Sequence, residues 1–462
     1  MAWSSGCTPS PFWRFGCSPS PYAFGAGDAN VIVHELDWFA TFGIVAIFTQ
    51  VVRLWFVSRP VAKRRVARGA SDDYLFVFLV PALNEARVLG HTLDSLLALP
   101  IRHSLVIVID DGSDDGTNLL VERRSDRNVH LVRRELPLAR RGKGPALNAG
   151  FDELLRLVRG WPAGKVIVGI MDADGRLDPQ APDLVAARFA DPNVGAVQVG
   201  VRINNRHDSA LARLQDMEFV TYTDVFQSAR DIWGVALLGG NGQFVRLAAH
   251  LDLAPDPWTD GLTEDLEQGL RLICAGWQIR YCRDVAVHQQ GLVSVRRLLR
   301  QRSRWFQGHL QAWRQIGSVV RNAPLRTVPH LLHMLMVPIL LLANITLMAA
   351  LLAMLAGIAE SANVRLALAH PTVVLDWYWL TFALAIFLTV SVYARRERGL
   401  TPWRVILLGH AFAVYSLLWM VAGYWALGRI LLSKRGWQKT DRLPEQPPEP
   451  LLDASPASRD AT

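Results

Sequence analysis

Apolar and polar positions alternate with different rhythms along the chain, and the rhythm changes three times. From Trp38 to Val57 runs an apolar stretch of about 20 residues, long enough to span a bilayer, with only Gln50 and Arg53 near its far end. Between Ser71 and Leu325 short apolar runs alternate with amphipathic stretches, the pattern of an α/β sheet with crossover helices. Leu75 to Val80 predicts a buried strand ending on Pro81-Ala82-Leu83-Asn84-Glu85, and Leu89, Leu93, Leu96 and Leu97 predict the helix after it. Leu105 to Ile109 predicts a second strand running into Asp110-Asp111-Gly112-Ser113, and Val166 to Ile170 a third ending on Asp172-Ala173-Asp174. Polar residues at the carboxyl ends of such strands lie where open α/β sheets place a ligand crevice. Beyond Arg326 long apolar runs return, and 328–358, 372–392 and 402–432 are predicted spans.

These rhythms divide the chain into a tail (1–30), a span (31–58), an α/β domain (72–293), interfacial amphipathic helices (294–326), about three spans (327–433) and a second tail (434–462). Residues 1–30 lack a basic region followed by an apolar core, so no cleaved signal peptide is expected there, and the tail reads as disordered. Lys63, Arg64, Arg65 and Arg68 follow the first span while Glu35 and Asp37 precede it, which puts the α/β domain in the cytoplasm, on the plasma membrane. Three later spans would leave Lys434, Arg435, Lys439 and Arg442 outside, against the charge rule. Either one run splits, with an interfacial piece near Trp403 to His410, or the tail is an exception.

The net charge of +8 raises the question of nucleic acid. The basic residues gather beside apolar runs and at Arg296, Arg297, Arg300, Arg302 and Arg304, which favours lipid headgroups and phosphates; no nucleic-acid partner is expected. The four cysteines show neither metal-ligand spacing nor a disulfide framework. Nothing in the sequence sets an oligomeric state.

Adjacent carboxylates repel, so acidic strand ends need a cation or several donors. Asp172 and Asp174 are oxygen ligands suited to Mg²⁺ or Mn²⁺, or else a solvated strand end. Asp110 and Asp111 head either a nucleotide pocket or a capped turn. Arg140-Arg141-Gly142-Lys143-Gly144, before a helix expected near Ala146, is either a solvated loop or a diphosphate clamp. In Thr263-Glu264-Asp265, Thr263 is a candidate cap, and a carboxylate of Glu264 or Asp265 a candidate general base.

In order, Asp-Asp-Gly-Ser, Asp-Ala-Asp, Thr-Glu-Asp and Gln301-Arg302-Ser303-Arg304-Trp305 resemble the motifs of the membrane-embedded processive enzymes of glycosyltransferase family two, such as cellulose, hyaluronan and poly-N-acetylglucosamine synthases. The resemblance covers about residues 72 to 440. It implies a GT-A (Rossmann-like) α/β fold beside membrane helices, a UDP-sugar donor carrying glucose or N-acetylglucosamine, an inverting reaction and a Mg²⁺ or Mn²⁺ cofactor. It assigns Pro81, Asn84, Glu85, Asp110, Asp111 and Lys143 to the donor pocket, Asp172 and Asp174 to the metal, and Asp265 to the base beside Glu264. Gln301, Arg302 and Arg304 would brace the diphosphate, and Trp305 would stack on the acceptor sugar near Gly240, Asn241 and Gly242. The acceptor is a growing polysaccharide or, as in glucolipid synthases, a lipid, with membrane lipids as surroundings. The stretch Val287-His288-Gln289-Gln290-Gly291-Leu292 departs from the family pattern by lacking an acid and a proline, which leaves acceptor selection there open; His288 is expected to be structural.

Overall fold

Eight strands, not only the three that the apolar runs predict, build one mixed sheet in the order β3-β2-β1-β4-β7-β6-β8-β5. They are β1 (Leu75–Ala82), β2 (Ser104–Asp110), β3 (Val129–Arg133), β4 (Val166–Ile170), β5 (Arg176–Leu177), β6 (Val194–Ile203), β7 (Gln243–Arg246) and β8 (Gln278–Gln289). β1, β2, β3 and β4 are parallel neighbours, whereas β7 runs antiparallel to both β4 and β6. This computed structural model describes residues 69–124, 126–358, 384–397 and 399–432. Contacts divide the chain into Met1–Val52, outside the described residues, and Arg53–Thr462, to which all of the following belongs.

The predicted strands are found almost where the pattern put them because each is a run of residues buried on both faces, as a sheet covered on both sides requires. One cover is α1 (Leu89–Leu97), whose Leu89, Leu93 and Leu96 pack with Phe76, Phe78 and Val80. The other is α3 (Lys143–Leu157), following the short α2 (Thr117–Glu122); its Leu147, Phe151 and Leu154 meet Val77, Leu79 and Ile109. α3 starts at Lys143, three residues before the expected Ala146, so Lys143 is fixed in the first helical turn. Its approach to the chain is tight: a Cβ on Gly144 would stand 1.9 Å from the Thr259 carbonyl oxygen.

The sequence from β5 onward supplies α4 (Ala181–Phe189), α5 (Ala210–Thr221) continued by a π-helical turn Tyr222–Gln227, then α6 (Ser228–Asp231), α7 (Leu247–Leu251) and α8 (Glu264–Cys274). The predicted amphipathic region is α9 (Val295–Gln311), a 3-10 turn Ala312–Gln315 and α10 (Ile316–Asn322).

Three apolar helices follow: α11 (Val328–Ile358), α12 (Leu384–Arg396) and α13 (Pro402–Leu431). α13 is long and apolar enough to cross a membrane, with a mean hydropathy of 2.0 over its best window, and Val328–Ala343 within α11 is a shorter apolar segment. α13 is continuous through Trp403 to His410, so of the two alternatives the split of that run is not adopted there: Thr401 caps the helix by accepting from the Arg404 N–H, and Pro402 opens it. The expected span at 31–58, residues 372–383 and the tail 434–462 lie outside the described residues.

Gly144→Ala is expected to destabilise the protein by about 1–3 kcal/mol through overpacking against Thr259. Thermal unfolding of the detergent-solubilised protein reads this as a lowered midpoint; an unchanged midpoint would show that the start of α3 yields freely.

Candidate active site

Two loops at the carboxyl end of the sheet are stitched together first. Asp110 is fully buried, and its Oδ1 accepts from the Ser113 N–H at 3.0 Å, which folds Asp110-Asp111-Gly112-Ser113 into a tight turn. Ser113 Oγ then accepts from the Asn84 N–H at 2.8 Å, Asn84 Oδ1 from the Asp114 N–H at 2.9 Å, and Thr117 Oγ1 from the Glu85 N–H at 2.9 Å. Asn84 takes the left-handed φ of +55° that an Asn tolerates best among non-glycine residues. Asp115, not Asp110 or Ser113, serves the start of α2, by accepting from the Thr117 N–H. Pro81, opposite Ile109 in the sheet, leads into this corner.

Asp111 is 7% exposed and forms an ion pair with Arg134, a residue that no motif singled out. Burial lifts its carboxyl above the usual range even though Arg134 opposes the shift. Arg140 donates to the Gly112 carbonyl and to Asp114, and Arg141 to the Pro137 carbonyl. Those two arginines brace the loop, and Lys143 alone of the three cations reaches the centre of the crevice.

There Lys143 gathers carboxylates from separate elements. Its Nζ lies 2.7 Å from Asp172 Oδ1, after β4, and 3.9 Å from Glu264 Oε1, at the head of α8. Gly240, at φ +77°, closes the third side: a Cβ there would stand 3.1 Å from Asp265 Oδ2 and 3.2 Å from Lys143 Nζ. Burial followed by the Asp265 charge pushes the Glu264 carboxyl up to about 7, and burial raises Asp265 as well; Lys143 and Arg304 hold both shifts in check. Burial disfavours the Lys143 cation, but the surrounding carboxylates outweigh it and its pKa is raised.

The remaining parts hold this cluster in place. The Asp172 N–H donates to Asn241 Oδ1 at 3.1 Å, and Asn241 Nδ2 donates to Gln289 Oε1 at 2.8 Å. The Gln290 N–H donates to Asp174 Oδ2 at 3.0 Å. The departing stretch after β8 thus positions the Asp-x-Asp turn through Gln289 and Gln290, a role that no side-chain motif reveals because half of it is backbone. Asn241 and Gly242 were expected at the acceptor. Asn241 is instead 3% exposed and engaged with Asp172 and Gln289, and Gly242 is pressed against Val199 and Val287, so both brace the loop behind Gly240. His288 is structural as expected, its Nε2 lying 2.9 Å from Asp178 Oδ1.

The cap expected at Thr263 is also replaced. Thr263 precedes α8, but its side chain makes no cap bond and its buried Oγ1 has no hydrogen-bond partner. Gly308 of α9 lies directly against Thr263: a Cβ on Gly308 would stand 2.5 Å from Thr263 Cγ2. This contact lays α9 across the head of α8. Gln301, Arg304, Trp305 and Gly308 share one helical face by their spacing, and Arg304 acts on the charges of Glu264 and Asp265.

Arg302 is the clearest correction. It was expected on the diphosphate, yet it is 1% exposed and its Nη2 lies 2.9 Å from Glu218 Oε2 on α5. Its other end donates to Gln301 Oε1 at 2.9 Å, so Arg302 braces Gln301 from behind and is spent on protein partners.

A mixed sheet with two carboxylates after a central strand and an acidic pair at the head of a helix beside them has the architecture of the GT-A-like nucleotide-sugar transferase fold. Residues 74–308 match the family described as Glycosyltransferase like family 2, and the chain belongs to it. It is 33% identical over 249 residues to β-monoglucosyldiacylglycerol synthase of Synechocystis sp. (52% of this chain, 49% of that protein). It is 29% identical over 235 residues to poly-β-1,6-N-acetyl-D-glucosamine synthase of Staphylococcus aureus (50% of this chain, 53% of that protein). The chain thus spans about half the length of these curated relatives. A mannosyltransferase from Pyrobaculum calidifontis, solved in complex with GDP-Man and Mn²⁺, shares the fold at TM-score 0.51 and 22% identity, covering 77% of this chain and 99% of that one.

The raised Glu264 pKa has a consequence for stability. Its contribution is fully present below the unfolded value near 4.5 and is lost as the pH rises through about 7. Glu264→Gln removes this dependence, so the thermal midpoint of the variant relative to the parent should climb between pH 5 and pH 8. A difference that stays constant with pH would contradict the buried, coupled pair.

Proposed function

We propose that this protein is an inverting membrane glycosyltransferase that moves glucose or N-acetylglucosamine from a UDP-sugar onto a growing β-linked polysaccharide. The observation that carries the reading is the convergence of Lys143, Asp172, Glu264 and Asp265 beside Gly240, the narrow point at which a sugar ring meets a carboxylate. Asp265 is the base for the acceptor hydroxyl: burial makes its carboxylate more basic than an exposed one, which favours taking up a proton. Attack opposite the leaving diphosphate turns an α-linked donor into a β-linked product.

Asp172 and Asp174 fit a divalent cation by their donor set. Magnesium-like ions take oxygen ligands, keep one or two protein carboxylates and complete their shell with substrate phosphates and water. Among the described residues no group of three or more His, Cys, Asp or Glu gathers for a metal, so the site proposed is the two carboxylates alone. The cation, Mg²⁺ or Mn²⁺, would neutralise charge on the leaving diphosphate. Gln301 and Arg304 are the diphosphate braces on α9, and Lys143 holds Asp172 toward the same point. Asp111, Asn84 and Glu85 bound the uridine corner, and Trp305 offers the acceptor sugar a flat face. α13 embeds the enzyme in the plasma membrane with the sheet domain on the cytoplasmic side.

A second reading, a lipid acceptor such as diacylglycerol, draws on the 33% identity with a glucosyl-diacylglycerol synthase. Incubation with radiolabelled UDP-glucose or UDP-N-acetylglucosamine separates the two: label in high-mass, glycosidase-sensitive material supports the polysaccharide, and label extracted into organic solvent supports the lipid. Asp265→Asn should lower transfer by about 10²–10⁴-fold. Chelation should abolish it and Mg²⁺ or Mn²⁺ restore it; UDP release from no donor would overturn the enzymatic reading.

A further inference from the structure

Arg302 belongs to a network whose Glu218, Phe219, Tyr415 and Trp419 have no part in the motifs or in the proposed reaction. Its guanidinium carbon sits 4.2 Å from the centroid of the Trp305 ring, 5.3 Å from that of Trp419 and 5.7 Å from that of Phe219. Its Nη1 donates to Gln301 Oε1 at 2.9 Å, and its Nη2 donates to Glu218 Oε2 at 2.9 Å. Glu218 is in turn held from α13: Trp419 Nε1 donates to its Oε1 at 3.2 Å, and the Tyr415 hydroxyl to its Oε2. Phe219 meets the Trp305 ring edge to face at 6.2 Å. One carboxylate on α5 therefore joins α9, which carries Trp305, to α13, the helix apolar enough to cross a membrane.

Burying a charged pair gives little net stability over apolar residues of the same volume. What it gives here is orientation. A planar guanidinium lying over an indole, and fixed at its other end by a carboxylate, leaves the ring one attitude.

We propose that Glu218 is the positioning residue of the acceptor platform: through Arg302 it sets the Trp305 indole, and through Tyr415 and Trp419 it ties that platform to the helix Pro402–Leu431. The inference rests on the reading of Trp305 as the acceptor face and deepens it. The sugar-stacking surface is then tied both to the sheet domain, through α5, and to the helix Pro402–Leu431. Glu218 touches no substrate and acts only through its neighbours.

The test compares two rates in the full-length protein in detergent. One is transfer of label from the UDP-sugar to the acceptor; the other is hydrolysis of the same donor with no acceptor added, with UDP inhibition as the measure of donor affinity. Glu218→Gln should raise the acceptor KM or lower transfer by about tenfold or more, the scale of a misplaced binding group, with hydrolysis and UDP inhibition within about twofold of the parent. The double variant Tyr415→Phe/Trp419→Phe leaves the Arg302–Glu218 pair intact and removes only its tether, so it serves if Glu218→Gln does not fold. It should show the same split at smaller size. Parallel loss of transfer and hydrolysis in the folded variants, or transfer unchanged in both, overturns the positioning role. A parent protein that hydrolyses and transfers nothing from any UDP-sugar overturns the glycosyltransfer reading itself, and that outcome is distinct from either of the others.

Discussion

A single half-buried ammonium among carboxylates sets the architecture of the sheet's carboxyl edge. Asp172, Glu264 and Asp265 belong to different parts of the sheet domain, and bringing their charges together without compensation would oppose folding. Lys143 supplies the compensation at 2.7 Å from Asp172 and 3.9 Å from Glu264. Its location requires α3 to begin where it does, and that beginning requires Gly144 against the Thr259 carbonyl. Gly240 must likewise lack a side chain, because the space a Cβ would fill is bounded by Lys143 and Asp265. Charge balance at the centre thus fixes the close approaches around it.

The same cluster connects stability to chemistry. Carboxylates raised by burial are costly to ionise, and that cost is the source of their basicity. Lys143 and Arg304 temper the shift from opposite sides, one from α3 and one from α9. The loop corner is built by hydrogen bonds, Asn84 to Ser113 and Glu85 to Thr117, whereas the side under α9 is built by helix packing, from Thr263 against Gly308 to Arg302 on Trp305.

Much of this was legible in the sequence. β1, β2 and β4 are continuous apolar runs, and the acidic motifs fall at or just after strand ends or, for Glu264, at a helix start. The strands on the far side of β4 were less legible: β5 is two residues long, and β7 and β8 carry Gln, Arg and Asp among their apolar positions, so no run marks them. Arg134 was missed because its partner Asp111 lies 23 positions away, and Gln290 because it acts through its backbone N–H. Arg302 was misassigned because a motif written as a string hides the turn of the helix. Three residues in five of Gln301 to Trp305 share a face by spacing, and Arg302 lies buried behind it, between Gln301, Trp305 and Glu218.

The account makes Asp265 a lone base facing the anomeric carbon from the side opposite the diphosphate, with Glu264 and Lys143 governing its charge. The most direct measurement is the anomeric configuration of the product formed from an α-linked UDP-sugar, read by proton NMR on the freshly made linkage. A β-linked product is predicted. An α-linked product would contradict the account, since retention requires a carboxylate placed for covalent attack or a front-face path that this arrangement does not provide.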